Sequence, residues 1–187
     1  MSDLGRLQSI HFFALYDVRH QNGNHFMPPA KDPAIAIDAF DIVEPTVQTR
    51  YPEPFASMVR GRTKRKLGDH FGLETFGVNL VRMAPGCVSS IRHHHSTEDE
   101  FVYILSGTVT LVTDKNELQL VPGMCAGFKA GSGVSHQLAN RSSTEVVFIE
   151  VGTRLDNDAV VYPYDDLAIT EIDSKVMFTH KDGRPYR

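Results

Sequence analysis

The sequence predicts an all-β protein, a jelly-roll barrel preceded by an extended N-terminal arm. Three observations predict it. From Phe76 onward, short runs rich in Val, Ile, Leu, Phe and Thr are separated by Gly, Pro, Asn and Asp, the punctuation of strands and turns. Eight such runs follow one another, enough for a jelly roll. Helical periodicity is nearly absent over the same stretch, and no fixed-period repeat or low-complexity tract suggests a solenoid or propeller.

Residues 1–34 mix His, Asn, Gly and Pro and end in Met27-Pro28-Pro29 and Asp32-Pro33, where proline removes donors and fixes the backbone. They read as the arm, with Ile10–Leu15 as a short apolar strand or docking segment. A single barrel domain is expected over 35–187. It opens with a short helix near Asp32–Phe40, where an Asp caps and Pro33 occupies the first turn. The expected strands are Phe76–Met83, Val88–His93, Glu100–Leu105, Thr108–Thr113, Glu117–Leu120, Met124–Phe128, His136–Ala139 and Glu145–Val151. Ser106-Gly107, Asp114-Lys115-Asn116 and Pro122-Gly123 supply turns, since Gly and Asn tolerate positive φ.

At 187 residues the chain has the size of one domain with a real core. Its 41% hydrophobic and 22% charged residues are those of a soluble globular protein. A formal charge of −4 argues against a nucleic-acid partner, whose phosphates demand a basic face. Cys87 and Cys125 form no CxxC pair, which fits a reducing compartment, and the cytoplasm is the expected location. No apolar run approaches the roughly 20 residues that span a bilayer, and no signal-peptide pattern opens the chain, so no membrane partner is expected.

The most informative stretch is His93-His94-His95-Ser96-Thr97-Glu98-Asp99-Glu100. In an extended chain side chains alternate, so His93 and His95 share one face while His94 points to the other. Glu100 opens the next strand and can turn inward beside them. His136 begins another strand, and a closed sheet can bring it to the same interior. Three imidazoles and a carboxylate suit one divalent Mn, Fe, Co, Ni or Zn ion and leave positions open for water or substrate. A histidine run by itself is also a common surface cluster; the combination carries the reading.

These residues resemble the two short motifs of the cupin superfamily. Gly86, His93, His95, Glu100 and Gly107 fill the places of G-x5-H-x-H-x3,4-E-x6-G, with six residues instead of five after Gly86. Gly123, Lys129, Gly131, His136 and Asn140 follow G-x5-P-x-G-x2-H-x3-N, with Lys129 in place of proline and four residues instead of two before the histidine. The motif core spans 86–140. The wider run Tyr51–Tyr162 is similar to small single-domain bacterial cupins without a settled activity. The resemblance implies a double-stranded β-helix barrel, a metal held by His93, His95, Glu100 and His136, and a homodimer.

Val102 and Ile104 share the side of Glu100, and Leu138 that of His136, giving the site apolar walls suited to a small organic ligand. Tyr103 faces away, and no general acid or base is assigned. The basic run Arg60–Lys66 reads as a solvated or dimer-facing strip, and Cys87 and Cys125 as core packing. Adjacent carboxylates at Glu98-Asp99 and Asp165-Asp166 face opposite ways, unlike a glycosidase pair. The expected function is metal-dependent chemistry on a small oxygen-rich molecule, of isomerase, lyase or dioxygenase type. The alternative is a non-catalytic barrel that binds or senses a small ligand.

Overall fold

The computed structural model describes residues 35–45, 49–172 and 175–186; the arm expected over 1–34, with its Ile10–Leu15 segment, lies outside the described residues. In chain order the strands are β1 (Arg62–Lys66), β2 (Phe76–Met83), β3 (His94–His95), β4 (Glu100–Ser106), β5 (Val109–Thr113) and β6 (Glu117–Leu120). They continue as β7 (Cys125–Phe128), β8 (His136–Ala139), β9 (Val146–Thr153), β10 (Val160–Val161), β11 (Ala168–Ile172) and β12 (Lys175–Thr179). Two four-residue helices, α1 (Phe55–Met58) and α2 (Leu67–His70), flank β1.

Two antiparallel sheets make the jelly-roll barrel. One has the order β1-β2-β9-β4-β7 and the other β6-β5-β8. Alternation along each strand sends every second side chain into the space between them. Val81 and Met83, Val102 and Ile104, and Val146 and Phe148 come from the larger sheet. They meet Val109, Leu111, Leu120 and Leu138 of the smaller one in a single buried cluster. A second cluster of Phe55, Ile91, Tyr162 and Leu167, with Tyr51 and Phe178 packed on it, lies beside His93, whose ring is 5.9 Å from that of Tyr162.

Gly107 closes the hairpin between β4 and β5 at φ +78°. A Cβ there would stand 2.5 Å from the Glu145 carbonyl oxygen and 3.0 Å from Val146 Cα, so both the turn and the close approach of β9 require glycine.

Four sequence expectations are corrected. Over Val88–His93 the chain pairs with β8 only at isolated bridges, Val88 with Ala139 and His93 with His136. Between them the Ser89 hydroxyl accepts the Leu138 N–H, competing with a regular ladder. The helix near Asp32–Phe40 is, within the described residues, one 3-10 turn at Ala39–Asp41, capped by the Asp38 carboxylate.

The basic run is neither fully solvated nor a surface strip. Its residues 62–66 form β1, paired with β2, which turns Arg62 and Lys64 inward while Arg65 reaches out to the Ile42 carbonyl and to Glu44. Cys125 is exposed: it lies opposite Tyr103, on the outward side of β7, whereas Cys87 is buried in the core as expected. Among the described residues no helix is long and apolar enough to cross a membrane.

Candidate metal centre

Three strands and the segment before β3 carry the histidines and carboxylate to one point. His93 and His136, 43 positions apart in sequence, face each other across an antiparallel bridge. The His93 N–H donates to the His136 carbonyl at 3.2 Å and the His136 N–H to the His93 carbonyl at 2.9 Å. This sets their rings 5.1 Å apart. His95 follows on β3, held on one side by β10 and on the other by the Gly131 N–H, which donates to its carbonyl at 3.0 Å. Glu100 starts β4 with its side chain on the face of Val102 and Ile104, the inward parity expected of it.

Glu100 Oε2 lies 2.8 Å from His136 Nε2, 3.6 Å from His95 Nε2 and 3.7 Å from His93 Nε2. All four residues singled out in the sequence are therefore brought together. Only the first distance is a hydrogen bond; the other two exceed hydrogen-bond length. His93, Glu100 and His136 form a group whose ligand atoms could hold a metal ion, with His95 Nε2 turned to the same oxygen.

The remaining ring nitrogens support that fit. His93 Nδ1 donates to the Ile91 carbonyl at 2.8 Å, and His95 Nδ1 to Asp158 Oδ2 at 2.5 Å. A partner on Nδ1 fixes the tautomer and leaves Nε2 as the ligand atom, the usual arrangement around a metal-binding histidine. His136 is oriented by stacking: its ring lies parallel to that of Phe128, with centroids 3.4 Å apart. Its Nδ1 is buried with no hydrogen-bond partner among the described residues.

The electrostatics keep His93 and Glu100 in ligating form. Burial pushes the His93 imidazole down to about 4, although the Glu100 charge pulls the other way, so the ring is neutral at neutral pH. Burial works against the Glu100 charge, but the His136 hydrogen bond and the three imidazoles outweigh it and hold the carboxyl well below its ordinary range.

Asp158 is the supporting residue that sequence reasoning missed. Its Oδ1 accepts from the backbone N–H groups of Thr97 at 2.9 Å and Glu98 at 3.2 Å while Oδ2 meets His95. These hydrogen bonds outweigh burial and lower its carboxyl to about 2. Together with Glu98 it forms a second group of potential ligands around His95, but its oxygens are already committed to this turn. No motif marks it; the only sequence signal is an acid two residues before Val160-Val161.

The centre opens on a cavity of about 140 Å³. Its apolar wall is Val102, Leu138, Phe128 and Phe148, and its polar wall includes Arg62, Lys64 and Glu150, none of which the sequence reading placed there. Tyr103 points outward, as alternation requires, and is 41% exposed. The Asp166 carboxylate is engaged by His180 Nδ1 and the Lys181 N–H, each at 2.8 Å, away from this site.

A small antiparallel barrel with three histidines and a glutamate converging at its interior is a barrel built around a potential metal centre. A family model, the cupin domain, matches residues 79–152. A solved structure described as a sugar phosphate isomerase from a cupin superfamily, from Silicibacter pomeroyi, is 39% identical. The match covers 81% of this chain and 96% of that one, with a TM-score of 0.74. A putative sugar phosphate isomerase from Acidithiobacillus ferrooxidans is 30% identical over 65% of this chain and 77% of its own, with a TM-score of 0.59. The polyketide cyclase RemF from Streptomyces resistomycificus shares the fold at 20% identity, covering 70% of this chain and 85% of that one, with a TM-score of 0.56. Among curated proteins none matches the chain. The chain belongs to the cupin superfamily.

Proposed function

We propose that the protein is a metal-dependent isomerase of a phosphorylated sugar, with one divalent ion held by His93, His95, Glu100 and His136. The observation that carries this reading is the convergence of three Nε2 atoms on Glu100 Oε2 beside a cavity lined by His93, Glu100 and His136. The chain's 39% identity to a sugar phosphate isomerase supports it.

When bound, such an ion supplies a Lewis acid that polarises a carbonyl. The chain's own residues do the rest. The Ile91 carbonyl and Asp158 orient His93 and His95, while Val102, Leu138 and Phe148 give the cavity an apolar wall against which a carbon skeleton can pack. A cavity of about 140 Å³ is close to the size that takes a benzene ring, and so suits the carbonyl end of a sugar phosphate rather than all of it.

The test is elemental analysis of protein purified without chelator, followed by a panel of aldose and ketose phosphates assayed for interconversion. The expected result is one equivalent of a first-row divalent metal and turnover that disappears on chelation and in His93→Ala and Glu100→Ala. Full turnover after metal removal, or no turnover of any sugar phosphate by the metal-loaded protein, overturns the proposal.

A further inference from the structure

The inner face of the larger sheet is apolar over most of its area, with Val81, Met83, Val102, Ile104, Val146 and Phe148 in one cluster. Towards the metal centre this changes. Glu150 of β9 lies opposite Asn79 of β2 on one side and Val102 of β4 on the other. Its carboxylate accepts from Lys64 Nζ at 2.7 and 3.0 Å and from Asn79 Nδ2 at 3.0 Å. The Lys64 and Glu150 side chains are only 28% and 18% exposed. Withdrawing such a pair from water is unfavourable, and apolar residues of similar volume commonly serve a sheet as well or better. An ion pair retained at this place calls for another use.

The cavity supplies one. Its lining contains two carboxylates, Glu100 and Glu150. Glu100 is committed to the histidines. The Tyr51 hydroxyl faces that of Tyr162 at 3.5 Å, and the Ser89 hydroxyl accepts the Leu138 N–H. Glu150 is thus the carboxylate on this wall that stands outside the metal set, and Lys64 favours its ionised form despite burial.

We propose that Glu150, paired with Lys64, is the proton-transfer residue of the cavity, acting on an α-hydroxy carbonyl compound; this rests on the isomerase reading above. The Glu150 carboxylate takes the proton from C2. The C2–H electron pair becomes the second C1–C2 bond, and the carbonyl π pair moves to O1, which receives a proton from Lys64 Nζ. In the second half the O2 hydroxyl returns a proton to Lys64, C2=O2 forms, and the C1–C2 π pair takes the proton of the Glu150 carboxylic acid onto C1. Aldose has become ketose, both side chains are restored, and no oxidant or reductant is consumed.

The experiment follows proton NMR of dihydroxyacetone and its phosphate in D2O with metal-loaded protein. Interconversion of the sugar-phosphate panel is measured alongside. In Glu150→Gln the exchange of C–H for C–D is expected to fall by about 100-fold or more, the usual weight of a general acid or base, with metal content unchanged. If that variant does not fold, the double variant Lys64→Met, Glu150→Leu carries the same readout with the pair replaced by apolar groups.

Exchange at the wild-type rate in whichever variant folds overturns the role of Glu150 and leaves the isomerase reading standing. Exchange by the wild type that is lost in the variant, without interconversion of any sugar phosphate, supports Glu150 and sinks the isomerase reading. A wild type that neither exchanges nor interconverts overturns both.

Discussion

At the scale of single residues, the site is a contest between burial and charge. His93 is held neutral by burial to about pH 4, against an ordinary value near 6.5. Between those values the unfolded chain binds a proton that the folded chain refuses, so metal-free protein loses stability as the pH falls through this window. Glu100 and Asp158, both depressed, contribute stability that is present above the ordinary carboxylate range and is lost as the pH falls through their folded values. Urea midpoints of the metal-free protein near pH 7 and near pH 5 are expected to show the decline, and His93→Gln to flatten its upper part. A wild-type midpoint that stays level or rises towards pH 5 contradicts the assignment. Gly107 is the other decisive single residue. Gly107→Ala is expected to cost about 1–3 kcal/mol for the left-handed backbone alone, with the Glu145 contact adding to it, read as a lower denaturant midpoint.

At the scale of elements, the turn between β3 and β4 works as a unit with the start of β10. Asp158 ties two backbone N–H groups of that turn and the His95 ring together. Asp158→Asn keeps the shape but weakens the pull on Nδ1, so metal affinity is expected to fall by about 10–100-fold in competition with a chelator, with the fold intact. Unchanged affinity would make Asp158 a turn residue alone. β1 offers a comparable lesson. Read along the chain, Arg60–Lys66 carries five basic residues in seven, yet pairing with β2 divides them into an outward Arg65 held by Glu44 and inward Arg62 and Lys64. Alternation was available from the sequence; that the run was a strand was not, because a charged segment lacks the apolar period that announces one.

At the scale of the whole molecule, a ligand that binds the folded chain and not the unfolded one stabilises it by mass action. The candidate centre draws on β4, β8, β3 and the segment before it, so an ion there would tie both sheets together. At free metal near 100 times its dissociation constant, the gain is about 2.7 kcal/mol. For a domain of this size that raises the melting temperature by roughly 5–10 °C. Differential scanning calorimetry with and without chelator checks it. A melting temperature indifferent to metal would mean that the four side chains are satisfied by one another.

Strand runs, turn residues and the parity of His93, His95, Glu100, Val102 and Ile104 were legible in the sequence by itself. Each is a local property: alternation assigns a face, and Gly or Asn assigns a turn, whatever lies across the sheet. The meeting of His136 with His93 was legible only as a motif spacing, and tertiary structure supplies its cause in an antiparallel bridge between distant segments. Asp158 beneath His95, Glu150 and Lys64 in the cavity wall, and Cys125 on the outside were decided by tertiary structure alone. Each depends on which strand lies next to which, and that pairing is set by the burial of the whole core rather than by any residue's neighbours in the chain.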